Sequence, residues 1–272
     1  LKVRRIAREH DDGFRSRLVP GLKASGDAER LAQELAFATA RLAALASAPP
    51  GLYAEVAAGA DPEEATWLAF LIAFLCPLES EDPFASVRAV RTTWSSGELP
   101  QLEDVALGPR GAVDPGKAGA TLAAYRAWAA RAGSQRAAFA GEAAWTPERR
   151  FARAFERLAL PGLHRDARFD LLVTLGQLGL QAVRAGALQF GGADETTIAA
   201  KRVFGIGDTL LLERRAADLA AACELQPAAL DLALWNWARP AWLAAGVRAT
   251  LGVPAVEPDA GAYARIGDAL GL

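Results

Sequence analysis

The sequence predicts an all-α fold, and three observations carry that prediction. Alanine and leucine dominate the 272 residues while Val, Ile and Thr are sparse, which favours helix because alanine loses no side-chain freedom there and β-branched residues do. Apolar residues recur at helical spacing in one segment after another, each closed by Pro or Gly. No stretch of any length alternates apolar and polar residues, and no unit of about 20–50 residues repeats, so neither a sheet protein nor a solenoid is expected.

The elements follow in order. Residues 28–47 (AERLAQELAFATARLAALAS) form an amphipathic helix that ends at Pro49-Pro50-Gly51. Asp61-Pro62-Glu63-Glu64 opens the next, with Asp61 as N-cap, Pro62 at the first helical position and acids in the first turn. That helix runs through WLAFLIAFLC (67–76) and stops at Pro77. The apolar run is about ten residues against the roughly 20 that span a bilayer, so a buried core helix and no membrane partner are expected. Asp82-Pro83 starts a helix reaching about Ser95. Residues 97–118 are rich in Gly and Pro and predict a long surface loop, a candidate lobe linker. A helix over 119–140 breaks near Gly133-Ser134. Thr146-Pro147-Glu148 caps the next helix, which ends by Leu160-Pro161-Gly162. A helix from Arg165 to Leu178 follows, then a hairpin at 190–194, a helix over 195–204, a tight turn at 205–207 and a helix from Asp208 to about Cys223. Pro227 opens a last strong helix (PAALDLALWNWA), stopped by Pro240. The tail after Gly252 is weakly specified.

The bulk composition is that of a soluble globular chain, 52% hydrophobic and 23% charged. Its net charge of -2, from 30 Lys+Arg against 32 Asp+Glu, shows no global basic excess. A basic patch on one face remains compatible with that balance. Arginine is common and lysine rare, which suits phosphate clamps and equally a GC-rich genome. Cys76 and Cys223 are too few for a zinc site or an iron–sulfur cluster, and a disulfide framework does not fit a chain of this size, so a reducing, cytoplasmic setting without metal or cofactor is expected. The charged N-terminus (LKVRRIAREHDDGFRSR) does not read as a signal peptide. His10 and His164 are the only histidines, and no Ser-His-Asp or Cys-His arrangement can be built on them. Glu79 and Asp82 look like a capping arrangement rather than an acid/base dyad.

Chemistry concentrates in residues 160–220. Gly191-Gly192 is a place where the chain can turn with positive φ, and Asp194 and Glu195 then begin a helix with Thr196 and Thr197 in its first turn. Free backbone N–H groups and the positive end of the helix dipole make such a turn a phosphate seat. The acids could equally cap the helix themselves. Gly205-Ile206-Gly207-Asp208-Thr209 repeats the pattern, and Asp208 reads first as an N-cap.

Taken in order, these pieces resemble the helix-hairpin-helix DNA glycosylase superfamily. Gly162-Leu163-His164-Arg165-Asp166-Ala167 is similar to its G-aromatic-x-x-K-A turn, with Asp166 where Lys is usual. Phe190 to Thr197 stands in for the family hairpin, and Val203-Phe204-Gly205 for the A-F-G that closes the following helix. Ile206-Gly207-Asp208-Thr209-Leu210, followed by Arg214 and Arg215, resembles V-D-T-x-V, whose Asp is catalytic. The C-terminal half is also similar to the alpha-glutamyl/putrescinyl thymine pyrophosphorylase-like branch. The resemblance implies a two-lobed fold, with a terminal lobe from 1–60 plus 208–272 and a helical-barrel lobe over 61–207 ending in the hairpin unit at 190–204.

It further implies a monomeric protein that excises a damaged or modified base flipped from double-stranded DNA. Asp208 would be the catalytic carboxylate, stabilising an oxocarbenium-like sugar. Bifunctional members carry a sugar-attacking Lys in the hairpin, where this chain has Asp194 and Glu195, so the implied reaction is monofunctional. Lys201 lies on the next helix and could swing to the site; contact with phosphate or solvent is its plainer role. Gly191, Gly192, Thr196, Thr197 and Arg202 would hold the DNA strand. Trp235 and Trp237, with Trp94, Tyr125 and Trp128 as further candidates, would line the base pocket, the alternative being plain core packing. The other functional reading is a non-catalytic module that holds DNA or a modified base.

Overall fold

A computed structural model describes residues 11–111, 115–239, 248–254, 256–258 and 260–272. Among them are twelve helices and no strand, so the protein is all-α. The chain divides into two compact units. The first takes its described residues from Leu1–Ala40, Phe190–Pro240 and Glu257–Leu272, and the second from Arg41–Gln189 and Ala241–Val256. The division falls inside the first helix, α1 (Ser25–Ser47). It differs from the lobes expected from the sequence: 190–207 group with the terminal segments, while 41–60 and 241–256 group with the middle of the chain.

The second unit is built on α3 (Pro62–Leu75), buried on every side from Ala65 to Leu75. Asp61 caps it as the sequence predicts, accepting from the Glu63 and Glu64 amides at 2.8 and 3.4 Å. The two acids that follow do more than complement the dipole. Glu63 accepts from the Gln135 and Arg136 amides at 2.8 and 2.9 Å, capping α6 (Gln135–Ala140). Glu64 accepts from the Trp94 and Ser95 amides at 2.7 and 2.9 Å. α4 (Ala85–Val90) stops short of the expected Ser95, and the Trp94 and Ser95 amides that a longer helix would use are bound instead to this carboxylate thirty residues upstream.

Aromatic rings fill the space beside α3. Phe70 stacks on Tyr125 of α5 (Pro115–Arg131) with centroids 3.8 Å apart, and Trp67, Trp94 and Trp128 join them. Residues 97–111 do not link lobes; they lie within this unit and close the end of α3, where the Gly108 amide donates to the Leu75 carbonyl at 3.0 Å. A Cβ at Gly108 would stand 2.1 Å from the Pro77 carbonyl oxygen, so only glycine fits. α2 (Leu52–Ala58) and α8 (Arg165–Gln177) pack on α3, and α7 (Pro147–Arg157) packs on α8. Buried Arg110 makes a two-pronged ion pair with Asp170 at 2.9 and 3.0 Å.

The first unit is built on α11 (Pro227–Trp237), buried from Ala228 to Trp237, with α9 (Glu195–Phe204) and α10 (Thr209–Ala222) against it. Pro240, the expected stop for α11, lies outside the described residues. The tail that the sequence left weakly specified forms α12 (Ala260–Leu270).

Candidate functional site

Most of the residues singled out from the sequence fall in the first unit, on α9, the turn after it, the start of α10 and α11; Trp94, Tyr125, Trp128 and the turn at 162–167 fall in the second. The segment before α9 is not the tight glycine hairpin expected. Residues 178–194 are irregular, and neither Gly191 nor Gly192 has positive φ; the positive-φ residues there are Gly179 at 74° and Gln189 at 55°. Of the two glycine amides expected to seat a phosphate, that of Gly191 is engaged internally, as is the neighbouring Phe190 amide. Phe190 N–H donates to the Glu213 carboxylate at 2.8 Å, and Gly191 N–H donates to the Thr197 hydroxyl at 3.1 Å. That hydroxyl in turn donates to Asp194 at 2.7 Å, while Asp194 accepts from the Thr197 amide at 2.8 Å. Asp194 is therefore the N-cap of α9, one of the two roles open to it from sequence.

Thr196 and Thr197 are both completely buried, so neither presents its hydroxyl to a DNA strand. Lys201 reaches back along the segment, its Nζ donating to the Gly192 carbonyl at 3.3 Å. Arg202 lies with its guanidinium carbon 4.8 Å from the centre of the Trp237 ring, a cation–π arrangement.

Trp237 and Trp235 are each 1% exposed. The Trp237 indole N–H donates to the Asp27 carbonyl at 2.9 Å. Trp235 lies 3.4 Å beneath the guanidinium of Arg239, which also pairs with Glu195. Both indoles are roofed by arginine and belong to the core. Trp94, Tyr125 and Trp128 sit in the aromatic cluster of the second unit.

Asp208 is placed differently. Gly205 ends α9 in the left-handed conformation (φ 67°, ψ 21°), its amide donating to the Lys201 carbonyl at 3.0 Å. Three residues later the chain enters α10 with Asp208 as N-cap, one carboxylate oxygen accepting from the Leu211 amide at 3.0 Å. The residue is exposed. Beside it in the same turn stand Leu210 and Leu211, 81% and 52% exposed. Sequence reasoning missed this pair. The signal was present: the buried positions of α10 are 212, 216, 219 and 220, and helical spacing from these leaves 210 and 211 off the apolar stripe.

The turn preceding α8 is held in the second unit. Gly162 has φ 75°, and a Cβ there would meet the Thr121 hydroxyl oxygen at 2.2 Å. Asp166 pairs with Arg165 at 3.0 Å, and Arg165 donates to the Leu188 carbonyl. His164 precedes α8 without a side-chain capping bond. A closed polar pocket behind Arg41, Tyr53, Cys76 and Asp170 holds about 10 Å³, room for about one water.

No family model, curated protein or solved structure matches the chain. Among the described residues no three His, Cys, Asp or Glu side chains gather to hold a metal ion, and no helix is long and apolar enough to cross a membrane.

Proposed function

We propose that the chain acts on DNA as a monofunctional base-excision N-glycosylase with Asp208 as its catalytic carboxylate. The observation that carries this is the first turn of α10, where an exposed carboxylate stands beside two exposed leucines. Removing a base develops positive charge on the sugar, and a carboxylate held near C1′ stabilises it and orients the attacking water. One oxygen of Asp208 is fixed by the Leu211 amide, which leaves the other to face the sugar. An apolar wedge is what a base-flipping protein needs to keep the stack open, and Leu210 and Leu211 supply one. Lys201, bonded to the Gly192 carbonyl, is not presented as a nucleophile, in keeping with base removal without strand cleavage.

The test is release of free base from a panel of modified duplexes. Asp208→Asn keeps the helix cap and should lower the release rate on the order of 10²–10³-fold. Equal release by both proteins would overturn the assignment of Asp208.

One observation favours a second reading, a module that holds DNA without acting on it. Trp235 and Trp237 are closed under arginines and form no open aromatic pocket for a flipped base. Equal duplex binding by wild type and Asp208→Asn, with no base released by either, would select it.

A further inference from the structure

We propose that Arg15, Arg17, Lys23 and Arg215 form a clamp for the phosphodiester backbone of a nucleic acid. They line an open hollow of about 510 Å³ on the first unit, together with Ser16 and Pro20. Among the described residues that line it, four of six are cationic and none is acidic. Such a concentration in a chain of net charge -2 is a local field opposed to the global balance.

The cations are largely unneutralised. Arg17 and Arg215 make no hydrogen bond or ion pair with any described residue. Lys23 donates to the Pro20 carbonyl at 2.7 Å and forms no ion pair with any described residue, its charge felt only through space by the exposed Asp11 carboxylate. Arg15 alone has an acid partner, Asp11 at 3.2 Å, both side chains more than half exposed. Salt bridges of that kind contribute little and yield to a stronger anion.

The loop that carries three of the four is fixed in place. Asp12 accepts from the Ser25 amide at 2.9 Å and from its hydroxyl at 2.5 Å, and the Asp12 amide donates to the Lys23 carbonyl at 3.3 Å. Gly21 N–H donates to the Val203 carbonyl at 2.9 Å, at the end of α9. The charges are thus preorganised, which reduces the ordering cost of binding. None of the four is buried. A single free phosphate there would stay in water-rich surroundings and bind weakly, whereas a backbone engages several cations at successive phosphates and releases counterions with each. The clamp rests on the DNA proposal above only for the identity of the polyanion; the hollow and its charges stand without it.

The test uses the full chain and a short fluorescent duplex, followed by anisotropy across a salt series. The double variant Arg17→Ala/Arg215→Ala should weaken binding about tenfold or more and lower the slope of log K against log salt by about two. An unaltered thermal melt confirms that the double variant is folded. Unchanged affinity and slope in the double variant would overturn the clamp while leaving the glycosylase proposal standing. Normal clamp behaviour with no base released would do the reverse. Inorganic pyrophosphate and phosphatidylserine vesicles serve as the other arms: saturable binding of either one, abolished in the double variant and without any duplex binding, overturns the assignment to a nucleic-acid backbone.

Discussion

Asp208 combines a structural task with an exposed position, and substitution separates the two. Asparagine caps a helix about as well as aspartate, whereas alanine forfeits the bond to the Leu211 amide. Asp208→Ala should therefore cost about 1 kcal/mol in chemical denaturation and Asp208→Asn almost nothing, although both remove the charge. A variant pair that lost activity only in step with stability would place the residue among the caps. The two thiols make a second residue-scale case. Burial pushes the Cys76 thiol up to about 12 and the Cys223 thiol to about 11, from an ordinary 9.0. Between pH 9 and the raised values the unfolded chain releases these protons and the folded chain keeps them. Stability is therefore fully present below pH 9 and falls as pH rises from there. Melts between pH 8 and 11 should show this decline, and Cys76→Ala should flatten it; an equal decline in the variant would assign it elsewhere.

At the scale of elements, the contact between residue 21 and the end of α9 sets a sharp expectation. A Cβ on Gly21 would lie 2.0 Å from the Arg202 carbonyl oxygen and 2.6 Å from the Gly205 nitrogen, both rigid backbone. Gly21→Ala must push the loop off α9, at a cost of about 1–3 kcal/mol; an unchanged melting temperature would show the approach to be looser. Helix starts were the most legible elements, because a cap is local chemistry. Asp61-Pro62, Thr146-Pro147, Asp194 and Asp208 each cap the helix expected of them. What was illegible came from distant partners. The Trp94 and Ser95 amides are taken by Glu64, the geometry near Gly191 depends on Thr197 and Glu213, and Trp237 is covered by Arg30 and Arg202 from other segments. Of the candidate site, the cap at Asp208 and the position of Leu210 and Leu211 off the apolar stripe could be read from spacing, while the closure of Trp237 under Arg30 and Arg202 could not be read from any one window of sequence.

At the scale of the whole molecule, neither unit is one continuous segment. The second unit needs the chain near residue 250 to satisfy groups far earlier. Fully buried Arg41 donates to the Thr250 carbonyl at 2.9 Å, Tyr53 donates to the Leu251 carbonyl at 2.9 Å, and Glu79 accepts from the Thr250 amide at 2.8 Å. A chain ending at residue 240 would leave the buried Arg41 guanidinium and the Tyr53 hydroxyl without their carbonyl acceptors, about 1–3 kcal/mol for each group left unsatisfied and together a large share of the stability of many domains. Such a truncation should show no cooperative thermal transition by circular dichroism. A sharp melt like that of the full chain would mean that the late segment is dispensable.

The same threading sets a schedule for synthesis. Arg41 leaves the ribosome early, but its acceptors at 250 and 251 are made more than two hundred residues later. At about 5–20 residues per second the wait is on the order of ten to forty seconds. Through that interval the apolar surface of α3 is already made while the second unit is still incomplete, so the nascent chain is a natural client for chaperones until residues 250 and 251 emerge.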